Sequence, residues 1–359
     1  MKVAVLGSGN GALAVAFEWA KSGHEVRIFD FEEFPKNIEA INKAGGIYSE
    51  GELEGFQKIP YAGYDVSRVV PEAELIFAVG PAYSTEPFGR VCKPYVKHGQ
   101  KYIVCPSSCA GSITFKNALG LDIRDESVIV AETSTLPYAV RITGDARIAV
   151  YNRLKGGYFL AALPAKFTQE IYDTVKPVFN TILKAENVLK TTLQNANPVI
   201  HPAVSLLNAA LIERTNGDFY FYEEGVTTAV GRLIKAVDDE RIEIGKRLGI
   251  TVIPDPVLGM EQGYQAEPTY DTGYSMAPGF KGIKAQPSLD YRYFNEDAGF
   301  GLVFLTDLAD QIGVETPAMD AVLTLSSIIM NRDYKSEKAR TMEKLKISNY
   351  SLEELKSLL

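Results

Sequence analysis

The sequence predicts an α/β layer that gives way, about halfway along the chain, to a mainly helical domain. Three observations predict this. Short apolar runs rich in β-branched residues recur through the first half, separated by helix-length segments. A strand, a Gly-rich turn, a helix, a second strand and an acid follow one another within the first 30 residues. From Asn197 onward the apolar spacing is mostly helical. The first half is therefore expected to be a doubly wound parallel sheet of the Rossmann type, and the second an all-α domain. The 359 residues exceed what one hydrophobic core usually holds, so two domains are expected, 1–188 and 189–359.

The opening elements carry the first chemical signal. Residues 2–6 (KVAVL) read as a strand buried on both faces, Leu13 to Ala20 as a buried helix, and 25–29 (EVRIF) as a second strand ending at Asp30. Between the first strand and the helix lies GSGNGA, comprising Gly7, Ser8, Gly9, Asn10, Gly11 and Ala12. Gly7 permits a tight turn, Gly9 lets the backbone approach a pyrophosphate, and the helix N-terminus favours the negative charge. Ala12 is small enough for close helix–strand packing. Asp30, about 20 residues on, would accept hydrogen bonds from a ribose 2′-hydroxyl and repel a 2′-phosphate. NAD(H) is the expected cofactor, ahead of NADP(H).

The α/β rhythm continues through 75–80 (LIFAVG), 101–106 (KYIVCP) and 127–132 (SVIVAE). The connection 40–72 is expected to contain a hairpin or an irregular excursion. Residues 146–164 look like two strands joined at Lys155-Gly156-Gly157, an antiparallel addition to the sheet. A helix at about 167–181 and a strand-like run at 182–192 would finish the first domain. Helices are expected at 198–214, 226–248, 301–312 and 318–331. The stretch 254–300, rich in Pro, Gly and Tyr, reads as an ordered binding segment. The charged tail 333–359 reads as a solvated helical end with Ser351 as an N-cap.

In such sheets, ligands sit beyond the carboxyl ends of the strands. The loops there read GSGNGA, GPAYS, PSSCAGS and ETSTLP, which brings Gly80 and Pro81 toward a cofactor and Thr133 toward a substrate.

Composition narrows the function classes. A net charge of −8 without a Lys/Arg cluster argues against nucleic acid. No apolar run approaches membrane-spanning length and the first strand leaves no room for a signal peptide, so a cytoplasmic protein is expected. Cys92, Cys105 and Cys109 form neither a disulfide framework nor a CxxC pair, and with three scattered histidines no metal site is expected. The apolar helices of the second half would suit a homodimer interface or a core.

His24 and His98 read as surface residues. His201 stands at the start of an otherwise apolar helix, where Asn197, His201, Ser205 and Asn208 fall within an arc of about 80°. A polar stripe on a buried helix needs partners, and an imidazole there suits proton transfer near neutral pH. The segment 290–305 (DYRYFNEDAGFGLVFL) offers Arg292, suited to a carboxylate, and Asp297, suited to holding an imidazole nitrogen, with Glu296 beside them.

Together these residues resemble the octopine/nopaline (opine) dehydrogenase family over nearly the whole chain. The landmarks are GSGNGA, FAVGPA, AETSTLPY, NANPVIHP with SLLNAA, FYFYEEGVT, RYFNEDAGFGLV and TPAMDAVL. The resemblance implies NAD(P)H-dependent reductive condensation of an α-keto acid, typically pyruvate, with the amino group of an amino acid. It implies His201 and Asp297 as the acid/base pair, with Asp297 raising the histidine pKa, and Arg292 for a substrate carboxylate. Asn197, Asn208 and Thr133 would complete the substrate site. One loop departs from the family: PSSCAGSITF (106–115) stands where a P-G-x-x-G-G-x-x-E-F-like loop is expected.

Two other readings compete. A ketopantoate or β-hydroxyacid-type reductase would use a lysine near the first interdomain helix, where Lys190 is the candidate. A non-catalytic NAD(H) sensor would keep GSGNGA and Asp30 but has no need of His201, Asp297 and Arg292.

Overall fold

Alternation along the first strand sets the layers. In β1 (Lys2–Leu6), Val3 and Val5 pack against Leu13, Phe17 and Trp19 on one face of the sheet. Ala4 and Leu6 pack with Phe88 and Phe115 on the other. A strand buried on both faces needs a helix layer on each side, and the chain supplies both. The computed structural model describes residues 1–358.

The main sheet contains β1, β2 (Glu25–Phe29), β5 (Tyr61–Gly63), β6 (Leu75–Ala78), β7 (Lys101–Val104), β8 (Ile129–Thr133), β11 (Phe159–Leu163) and β12 (Leu183–Lys184). Its spatial order is β12-β11-β8-β7-β6-β1-β2-β5. A smaller sheet, ordered β4-β3-β10-β9, is built from β3 (Gly46–Gly51), β4 (Gly55–Lys58), β9 (Tyr138–Gly144) and β10 (Arg147–Arg153). The hairpin expected within 40–72 is the antiparallel pair β3–β4.

One expectation holds and one needs correction. β11 is the antiparallel addition expected from 146–164, running opposite to β8 in the main sheet. The strands within 146–164 do not, however, pair with each other. Strand β10 pairs with β9 and β3 in the smaller sheet, and β11 crosses back to the main one. The polar and glycine residues between them serve a change of sheet rather than a hairpin turn.

The last strand is β12. After it come the helices Val188–Leu193, Asn197–Leu207, Ala209–Thr215, Thr228–Leu248, Val303–Ile312 and Pro317–Ile329. The run 182–192 is thus a two-residue strand followed by a helix, and the helix expected over 167–181 spans only Thr168–Val175. The helix expected over 198–214 breaks at Asn208, whose side-chain amide donates to the carbonyls of Val204 (2.9 Å) and Gly225 (3.0 Å). The tail is not a solvated end: Tyr334, Arg340, Met342, Leu345, Ile347 and Leu355 are buried. Only its last turn follows expectation, with Ser351 Oγ accepting from the Glu354 N–H. No helix among the described residues is long and apolar enough to cross a membrane.

Gly7 shows how tightly the first turn is set. Its φ is +114°, and a Cβ there would stand 2.3 Å from the Val79 carbonyl oxygen. Gly7→Ala should therefore cost about 3 kcal/mol of unfolding free energy, read as a lower urea midpoint, and should weaken NADH binding in a fluorescence titration.

Candidate active site

The Gly-rich turn fits a pyrophosphate. A Cβ on Gly9 would meet nothing within 4 Å, so the backbone there faces open space. The helix Asn10–Lys21 starts without a side-chain cap, which leaves its first amides aimed outward. Gly11 is small for another reason, since a Cβ would press on Leu136 at 2.9 Å. The Asn10 side chain is already engaged, its Oδ1 accepting from the Ile142 N–H at 2.7 Å, so it ties the helix start to β9. Asp30 is buried at the end of β2, accepting from Ser8 Oγ (2.6 Å) and the Phe31 N–H (2.9 Å). Burial raises its carboxyl pKa against the lowering by these hydrogen bonds. Gly80 and Pro81 lie just beyond β6, where the Pro81 carbonyl accepts from Ser84 N–H and Oγ.

The second centre lies where two helical segments meet. Asp297–Leu302 is wound one residue wider than an α-helix: the Gly301 N–H reaches back to the Glu296 carbonyl at 3.1 Å. Wide turns of this kind are frequent at functional sites because they re-aim side chains. Gly301 allows the helix Asn197–Leu207 to approach, since a Cβ would stand 2.4 Å from Pro198. That approach joins residues 96 positions apart: His201 Nδ1 lies 2.7 Å from Asp297 Oδ2, both side chains being under a tenth exposed. His201 Nε2 lies 3.1 Å from the Tyr222 hydroxyl, and the Tyr293 ring stacks on the imidazole at 4.0 Å. A carboxylate facing Nδ1 selects the Nδ1–H tautomer, so Nε2 is the free base and accepts from Tyr222.

The electrostatics correct one expectation. Burial lowers the His201 pKa, and the upward pull of Asp297 does not offset it; Arg292 pushes it further down. The imidazole is therefore neutral at neutral pH, and Asp297 acts chiefly by fixing orientation and tautomer. Arg292 is 41% exposed, with Nη1 3.5 Å from Glu296 Oε2. Burial opposes its charge, but Asp297 and Glu296 outweigh that and raise its pKa.

The other predicted residues are placed differently. Asn197 borders the seam at the start of the His201 helix, its N–H bonded to Asn195 Oδ1. Asn208 serves as the brace described above. Thr133 is fully buried at the end of β8, its carbonyl accepting from the Ser107 N–H at 2.8 Å. Lys190 is bonded to the Thr251 carbonyl and covered by Phe159 rather than facing His201. Cys92, Cys105 and Cys109 are buried free thiols, and burial pushes Cys105 up to about 12.

Sequence reasoning missed two participants, Tyr222 and Arg340, and named a third, Glu296, without its bridging role. Tyr222 was visible only as one aromatic within FYFY. Glu296, 4% exposed, spans the domains by accepting from the Ala82 N–H and Ser108 Oγ, each at 2.9 Å. Arg340 comes from the tail and reaches the same two loops.

A Rossmann layer joined to a helical domain that buries a His–Asp pair is the architecture of a dinucleotide-dependent oxidoreductase. Comparison with known proteins gives the family. Residues 184–330 match the family described as NAD/NADP octopine/nopaline dehydrogenase, alpha-helical domain. The chain is 34% identical to an opine dehydrogenase of Arthrobacter sp. (strain 1C), over 99% of this chain and 97% of that one. It is 27% identical to the protein ocs of Agrobacterium tumefaciens (strain Ach5), over 92% of each. Its fold matches a solved octopine dehydrogenase in complex with NADH and agmatine, with a TM-score of 0.80 at 18% identity, over 99% of this chain and 98% of that one. The chain belongs to the opine dehydrogenase family, and it is an NAD(P)-dependent oxidoreductase of that type, joining a keto acid and an amino acid reductively.

Asp297→Asn should lower kcat by about a hundredfold to ten-thousandfold, because the tautomer is no longer fixed. It also removes the upward pull on His201, so the acid limb of the pH–rate profile should move to lower pH. Stability follows the same sign. With the folded pKa below the free value of about 6.5, the unfolded chain binds the proton more readily, and the contribution of the neutral buried ring is lost as pH falls below that value.

Proposed function

We propose that this enzyme condenses pyruvate with the amino group of a neutral or apolar amino acid, using NAD(H), to give a secondary-amine dicarboxylate. The observation that carries the reading is the buried His201–Asp297 bond with Arg292 beside it in the same seam. A neutral Nε2 takes a proton from the incoming ammonium and returns it to the departing carbonyl oxygen, so that water leaves as the imine forms. The bound dinucleotide supplies the hydride that reduces this imine. Arg292 grips the keto-acid carboxylate through a planar fork suited to two parallel hydrogen bonds.

The product carries a second carboxylate, which needs its own cation. Burial raises the pKa of both Tyr264 and Tyr293, the latter being the ring stacked on His201, and Arg141 on β9 is close enough to pull against it in each case. The Arg141 Nη1 donates to the Val140 carbonyl and to no carboxylate among the described residues. We assign Arg141 to the carboxylate of the amino acid. The preference for NAD(H) rests on Asp30, already held by Ser8 and Phe31 where a 2′-phosphate would have to sit.

The test follows NADH absorbance with pyruvate, glyoxylate or 2-oxobutyrate, each with and without a panel of amino acids. Amine-dependent oxidation that collapses in His201→Ala supports the reading; oxidation with keto acid alone contradicts it. Arg292→Gln should raise KM for the keto acid by about 10–100-fold. Arg141→Gln should raise KM for the amino acid and leave that for NADH unchanged.

A further inference from the structure

Two loops leave the carboxyl ends of β6 and β7, the edge of the sheet at which a dinucleotide's reactive end and a substrate meet. The second of these is strained. Ser108, Cys109 and Ala110 have φ values of +46°, +67° and +53°, three successive left-handed residues and none of them glycine. Such a conformation persists only where the surroundings over-determine it.

What determines it comes largely from the other domain and the tail. Glu296 Oε1 accepts from the Ala82 N–H on the first loop and from Ser108 Oγ on the second. Arg340 repeats the bridge from the other side. Its Nη2 donates to the Ala82 carbonyl (3.0 Å) and Thr85 Oγ1 (3.2 Å), and its Nη1 donates to the Cys109 carbonyl. The Ala110 N–H donates to Thr192 Oγ1 at 2.9 Å. Ala82 is thus gripped at both its N–H and its carbonyl. Arg340 is 1% exposed, has no carboxylate within ion-pair distance among the described residues, and lies over the Phe300 ring at 5.7 Å. A buried guanidinium that bonds only neutral oxygens is an expensive arrangement for packing alone.

We infer that Arg340, acting opposite Glu296, is a positioning residue of the active site: it holds the loops Gly80–Thr85 and Ser107–Ala110 in the one shape in which the reaction runs. The segment beyond residue 333 therefore completes the catalytic centre, although it lies outside the family's helical-domain match. This inference rests on the opine reading for its assay. Failure of that reading would show in the parent enzyme as absent amine-dependent turnover, before any variant is compared.

Arg340→Lys keeps the charge but cannot span both loops. Measured per folded active site with saturating substrates, it should lower kcat at least tenfold, while the NADH Kd from fluorescence stays within threefold, because Asp30 and Gly9 are untouched. Adding Ala110→Gly, which removes strain from the loop, should restore at least threefold of the loss. Ser108→Ala, a milder cut in the same clamp, should lower kcat about threefold with NADH affinity unchanged and serves if Arg340→Lys does not fold. The assignment is overturned if Arg340→Lys keeps kcat within twofold and lowers only the melting temperature. It is also overturned if NADH affinity falls in parallel with kcat, or if Ser108→Ala leaves kcat unchanged.

Discussion

The site depends on one buried hydrogen bond, between His201 Nδ1 and Asp297 Oδ2 at 2.7 Å. The two residues belong to helical segments that touch because Gly301 admits Pro198, and the wide turn at Asp297–Leu302 aims the carboxylate inward. An unpaired carboxylate at that depth would carry a heavy desolvation cost. The imidazole removes the cost and gains a defined tautomer in exchange. Tyr222 occupies the remaining ring nitrogen, and Tyr293 covers the face. One bond therefore links helix packing to proton chemistry.

The same economy governs how the domains meet. Glu132, fully buried at the end of β8, accepts from Thr191 Oγ1 (2.5 Å), Thr192 Oγ1 (3.1 Å) and the Ser112 N–H (2.8 Å). It therefore fixes the helix that leads into the second domain. Within that domain Arg241, also fully buried, pairs with Asp238 and donates to the carbonyls of Leu193 and Ile253. Glu296 and Arg340 close the seam from the opposite side. Glu132, Glu296 and Arg340 are each satisfied by groups distant in sequence, so the seam forms only when both domains are folded against each other.

Much of this was legible in the sequence, and the legible part has a common character. Gly7, Gly9 and Asp30 are read from local spacing, because a turn, a close approach and a strand end are local events. His201 stood out because a polar stripe on an apolar helix demands partners, and Asp297 because the segment 290–305 sets carboxylates and an arginine together among aromatics. The strand pairings of 138–163 were not legible: β10 and β11 have similar apolar patterns, and only tertiary packing sends them to different sheets. The His201 pKa was misjudged because Asp297 is visible in the motif, whereas the depth of burial is not. Arg340 was hidden for the opposite reason, since a charged tail looks solvated until its side chain is seen to satisfy carbonyls more than 200 residues away.

The central claim is that His201 is held by Asp297 as a neutral imidazole protonated at Nδ1. A nitrogen-15 NMR titration of the enzyme, with the three histidines assigned by comparison with His201→Asn, measures tautomer and pKa together. The account predicts an Nδ1–H ring whose pKa lies below that of a free histidine. An Nε2–H tautomer, or a ring that stays charged above the free value, would contradict it.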